Sequence, residues 1–113
     1  MTYNASQNLV ASAEVKAGAA SEKSAALTGD NVCIGLNVSA GPRGNNTTQV
    51  RVMFNESLDG QTWGQDKFHG QIVNVSEAGL YTVTLDINAP YVRVFYAPMD
   101  YKITASVDAS VEV

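Results

Sequence analysis

The stretch YKITASVDASVEV, residues 101–113, decides how this chain folds. Tyr101, Ile103, Ala105, Val107, Ala109, Val111 and Val113 fall on one side of it, and Lys102, Thr104, Ser106, Asp108, Ser110 and Glu112 on the other. Such a period of two belongs to an extended strand with one face in a core, because successive side chains of a strand point to opposite faces. A helix would scatter the same residues around its circumference. The segment predicts one long amphipathic strand, bent partway along its length.

The same alternation recurs upstream. Val32, Ile34, Leu36 and Val38 alternate with Cys33, Gly35, Asn37 and Ser39; Val50, Val52 and Phe54 alternate with Arg51, Met53 and Asn55; Tyr81, Val83 and Leu85 alternate with Thr82, Thr84 and Asp86. In YVRVFYA, residues 91–97, Val92, Val94 and Tyr96 oppose Tyr91, Arg93 and Phe95, so both faces carry large apolar groups and the strand is expected to be central. Leu9, Ala11, Ala13 and Val15 read as a further strand, although their alanines also suit a helix. Residues 17–30, AGAASEKSAALTGD, hold good helix formers and predict either a helical turn or a connector.

Turn chemistry separates these runs: Thr28-Gly29-Asp30-Asn31, the stretch 40–46 (AGPRGNN), Asp59-Gly60, Glu77-Ala78-Gly79 and Asn88-Ala89-Pro90. Seven or eight short strands spaced this way predict an all-β, antiparallel sandwich of jelly-roll-like form. A chain of 113 residues makes one domain. Within it, residues 1–20 are read as an N-terminal strand or arm and residues 21–113 as the sandwich.

Composition excludes several functions. Seven Lys and Arg against eleven Asp and Glu leave a net charge of -4, and the basic residues are spread along the sequence, which argues against nucleic acid as a partner. The single cysteine, Cys33, allows no internal disulfide and no thiolate zinc site. The opening MTYNASQNLV lacks the basic and apolar regions of a cleaved signal, and no apolar run reaches the about 18 residues that a membrane helix needs. The expectation is a chain made and folded in a cytoplasm, or exported by some route other than a cleaved signal.

No reaction is spelled out. His69 is the only histidine, and KFHGQIV reads as a strand edge or loop. Asp59 and Asp66 flank Trp63 as a catalytic carboxylate pair would, but both lie in turn sequence, where Asp caps its own backbone. No D-x-D-x-D-G calcium loop occurs, and the stretch 40–46 lacks the Lys-Ser/Thr of a phosphate loop. Six N-x-S/T triplets, starting at Asn4, Asn37, Asn45, Asn46, Asn55 and Asn74, describe a hydrated outer face. The chain is read as having no catalytic residues, no cofactor and no metal.

The central stretch VRVMFNESLDGQTWGQ, then GLYTVTLDINAPYVRVFYA and the alternating C-terminus, resembles the small β-sandwich virion proteins of tailed bacteriophages: head decoration or cement proteins and related head or tail appendage modules. The resemblance rests on Ser57-x-Asp59-Gly60-x-x-Trp63, Gly79-x-Tyr81 and Pro90-Tyr91-Val92-Arg93-Val94, within residues 50–113. It implies a non-enzymatic protein on the capsid surface of the virion that binds the major capsid protein and neighbouring copies of itself, as a homo-oligomer with a trimer as the expected form. Contacts are expected first from residues 1–20, through Tyr3, Leu9 and Val10, and then from the loop 41–48, through Pro42, Arg43, Asn45 and Asn46.

The other readings are a tail or appendage component, and a carbohydrate-binding module in which Trp63 stacks on sugar with one or more of Tyr81, Tyr91, Tyr96 and Tyr101. Parity places Tyr81 and Tyr101 with core aliphatics, leaving Trp63 with Tyr3 or Tyr91 for such a platform. Because tryptophan is usually mostly buried, Trp63 is expected to close the end of the sandwich after Asp59-Gly60 turns the chain.

Overall fold

The computed structural model describes residues 5–28 and 31–111, so Tyr3 lies outside the described residues. Seven antiparallel strands form two sheets: β1 (Gln7–Val15), β2 (Asn31–Ala40), β3 (Thr48–Ser57), β4 (Lys67–Val75), β5 (Gly79–Asp86), β6 (Tyr91–Pro98) and β7 (Ile103–Val111). The order is β1-β7-β2-β5 in one sheet and β4-β3-β6 in the other. The all-β sandwich read from the alternation is the fold of the protein.

The two inner faces build one core. Val32, Ile34, Leu36 and Val38 of β2 and Ile103, Ala105, Val107, Ala109 and Val111 of β7 meet Val50 and Val52 of β3 and Val92, Val94 and Tyr96 of β6. Burying one such aliphatic side chain fully contributes about 1.5–3 kcal/mol, so this layer supplies most of the drive to fold. Tyr96 keeps its hydroxyl satisfied inside the core by donating to Ala105 O at 3.4 Å. Tyr81 is half-buried against the core and donates to Glu77 O at 2.9 Å.

Three expectations change. First, β6 is not a central strand: by sheet order it stands at an edge. Its second apolar face has another cause, for Phe95 is buried on the outer side of the sheet, opposite Met53 and beneath the Lys23 ammonium. Second, Tyr101 is 41% exposed. The alternation starts too early in the sequence because Thr48 Oγ1 accepts the N–H groups of Asp100 and Tyr101, both at 3.1 Å, turning the chain before β7 begins at Ile103. Third, the period of β1 breaks at two register shifts, and the buried residues are Val10 and Val15, of opposite parity. The described part of residues 1–20 is thus largely a strand paired along β7.

Residues 17–28 contain no helix and serve as a strap along the free edge of β6. The N–H groups of Gly18, Ser21, Ser24 and Leu27 donate to the carbonyls of Pro98, Tyr96, Val94 and Val92 at 2.8–2.9 Å. In return Ser24 Oγ accepts from Val94 N at 2.9 Å and Ser21 Oγ from Tyr96 N at 3.0 Å. Three strap residues therefore match two strand residues. A strand advances about 3.3 Å per residue, so the strap advances only about 2.2 Å per residue and puckers outward at each repeat. The serine hydroxyl supplies the acceptor that the puckered backbone cannot bring to the edge.

Candidate functional site

The hairpin loop 58–66, between β3 and β4, lies at the sandwich end where β5 also passes into β6. Ser57, the last residue of β3 and 4% exposed, organises it. The Ser57 hydroxyl accepts from Gly60 N at 2.9 Å and Asp59 N at 3.3 Å, and its proton faces Thr62 O at 2.6 Å and Asp59 Oδ1 at 3.0 Å. Asp59 Oδ1 also accepts from Gln61 N and Thr62 N, each at 2.8 Å. These bonds from Thr62, then Gln61, then the Ser57 hydroxyl hold the Asp59 carboxyl below the ordinary value of 3.8, so it stays ionised. Gly60 adopts φ +76° at the tip, and a Cβ there would come within 3.4 Å of the Tyr91 ring. The positive φ is what calls for glycine here, since the ring contact is an ordinary van der Waals distance.

Trp63 does not plug the end of the core; it folds onto the outer face of the three-stranded sheet. It is half-buried, and the Arg93 guanidinium lies 4.5 Å from its ring centroid. Arg93 Nε donates to Asn55 Oδ1 at 3.0 Å, and Asn55 Nδ2 donates to Asp66 Oδ1 at 2.7 Å and Gly64 O at 3.3 Å. The loop is thereby bolted to the sheet through an asparagine that is 1% exposed. Asn55 is thus no member of the hydrated outer face that its N-x-S triplet suggests. Lys67 pairs with Glu56 at the root of the hairpin.

Beside the loop is a groove of about 390 Å³ lined by Leu58, Trp63, Thr62, Ala89, Glu56 and Asp59. Leu58 is the feature that sequence reading missed: at 84% exposure it is the most solvent-open large apolar side chain among the described residues. Its sequence context, Ser-Leu-Asp-Gly, marks a turn, and that was the available signal. A rigid turn carrying a bare leucine above an apolar groove can bind by shape and desolvation.

The other expected contact residues lie elsewhere. Val10 is buried in the core and offers no free surface, while Leu9 packs against the core half-buried. Pro42 is buried, whereas Arg43, Asn45 and Asn46 are exposed in the β2–β3 loop, where Asn46 Nδ2 donates to Arg43 O at 2.8 Å. That loop joins the end of β2 to the start of β3, at the opposite end of the sandwich from Trp63. His69 sits on β4 and its Nε2 lies 2.9 Å from Thr84 O, tying the edges of the two sheets together. Among the described residues no His, Cys, Asp and Glu side chains gather as a metal site, and no helix is long and apolar enough to cross a membrane.

The three cation–π pairs among the described residues each include a side chain of the three-stranded sheet: Arg93 over Trp63 of the loop, Lys23 of the strap over Phe95 at 5.1 Å, and Arg51 over Phe68 at 5.2 Å. Basic residues that are spread along the sequence thus converge on one face. Comparison with protein-family models finds no matching family, and a search of curated proteins finds no match.

Proposed function

We propose that this chain is a non-enzymatic structural protein of a phage virion, a capsid decoration or cement protein that binds the major capsid protein and neighbouring copies and works without a cofactor. The observation that carries the reading is Leu58 on its hydrogen-bonded turn. An exposed leucine costs nothing to the fold when it is removed, and a turn held by Ser57 and Asp59 loses little entropy when it docks. Such a preformed apolar anchor suits protein–protein contact. The sequence resemblance supplies the capsid as partner.

The test is binding to purified particles that lack the protein. Wild-type chain is expected to co-sediment with particles and to occupy regular lattice positions in averaged images, while Leu58→Asp loses at least about tenfold in affinity with its fold intact. Recovery only as free protein overturns the proposal. Density on the tail in place of the capsid moves the chain to the appendage class.

One observation favours a second reading, binding of carbohydrate: Trp63 lines the groove. Against it, one face of the ring is already covered by Arg93, and the Tyr91 ring packs over Gly60. Saturable tryptophan fluorescence changes with soluble oligosaccharides, lost in Trp63→Ala, would establish this reading in place of the first.

A further inference from the structure

We propose that copies of this chain stack head to tail, the outer face of the three-stranded sheet of one copy docking on the outer face of the four-stranded sheet of the next. The contact extends the reading above to assembly between copies. Its test uses purified protein alone, so its failure and the failure of particle binding are separate results.

The first face is a knob. Arg51 pairs with Ile72 across β3 and β4, and Met53 with Phe68, so these four side chains share the outward side of the sheet. Phe68 and Ile72 are 36% and 40% exposed. The Arg51 guanidinium lies over the Phe68 ring and makes no ion pair among the described residues. A cation stacked on one ring but without an ion pair, beside two part-exposed apolar side chains, fits a surface that offers a carboxylate beside a hollow.

The opposite face of the same molecule offers both. Gly35 stands in β2, hydrogen-bonded between β5 and β7, and its missing side chain makes room for Leu80 of the same sheet, whose Cδ1 would lie 3.0 Å from a Cβ there. It floors a hollow of about 320 Å³ whose walls include Leu80, 65% exposed, and Asp108, which pairs directly across from Gly35. Asp108 accepts from Asn8 Nδ2 at 2.9 Å and has no cationic partner among the described residues. The hollow holds an Ile72 or Phe68 side chain and sets Asp108 against Arg51. Because knob and hollow lie on opposite sides of one sandwich, the contact is heterologous and propagates.

Sedimentation velocity over a concentration series tests this. Wild-type protein is expected to grow beyond the dimer as concentration rises, and less so at high salt. Arg51→Asp alone and Asp108→Arg alone each place like charges in the contact and should weaken association at least about tenfold. An equimolar mixture of the two variants should associate again, because every junction then joins opposite charges. Wild type that stays monomeric at the highest soluble concentration overturns the proposal, as does Asp108→Arg that associates like wild type. Ile72→Ser, at an exposed site, is a second arm: it must weaken assembly with its circular dichroism unchanged, and undiminished assembly also overturns the contact.

Discussion

Arg93 binds Trp63 and Asn55 at once: its guanidinium lies 4.5 Å from the Trp63 ring centroid while its Nε donates to Asn55 Oδ1 at 3.0 Å. One side chain therefore joins the loop to the sheet by a stack and by a charged hydrogen bond. Arg93→Ala should cost about 1–3 kcal/mol, chiefly by leaving the buried Asn55 oxygen without a donor, and should red-shift Trp63 emission. Arg93→Lys should recover only part of this, since an ammonium lacks the planar fork. Urea denaturation followed by tryptophan fluorescence reads both.

The loop has its own acid limit. Bonds from Thr62, Gln61 and Ser57 lower the Asp59 pKa, so the carboxylate form favours the folded turn. That contribution is complete above the ordinary value of 3.8 and is lost as pH falls through the lowered folded value. Acid titration should show a Trp63 fluorescence change below the ordinary carboxylate range, missing in Asp59→Asn.

Ser57→Ala removes the acceptor of the Gly60 and Asp59 N–H groups and should cost about 1–3 kcal/mol. In the particle assay it should also weaken capsid binding while Leu58 is unchanged, because the anchor is then no longer held in place.

At the strap, Ser21→Ala and Ser24→Ala leave the buried N–H groups of Tyr96 and Val94 without acceptors, at about 1–3 kcal/mol each. Hydrogen exchange is the sharper measurement. The amides of Val94 and Tyr96 should lose protection before those of β7.

Tyr96 makes the fold sensitive to alkaline pH. Burial raises its pKa above 10.0, so the neutral phenol favours the fold. Its stabilising effect is fully present below 10.0 and is lost as pH rises through the raised value. Tyr96→Phe should be nearly neutral at pH 7, given its long 3.4 Å bond, and should flatten the decline in stability above pH 10.

The sequence by itself marked strands β2, β3, β5, β6 and β7 and the faces they turn inward, but not β4 (Lys67–Val75), whose KFHGQIV reads equally as a strand edge or a loop. Alternation in β2, β3, β5, β6 and β7 is set by local geometry, one side chain up and the next down, and needs no knowledge of neighbours. It also marked Asp59-Gly60 as a turn, because those residues make their bonds within a few positions of themselves. Only the tertiary structure decided the rest. The strap's pairing with β6 joins residues about 70 positions apart, and the serines that complete it look like ordinary polar spacers. Tyr101 leaves the core pattern because of Thr48, far upstream. Trp63 lies outside the core because Arg93, thirty residues later, offers it a charged surface to stack on. Periodicity reports which way a side chain points; what waits there depends on contacts between segments that the linear order keeps apart.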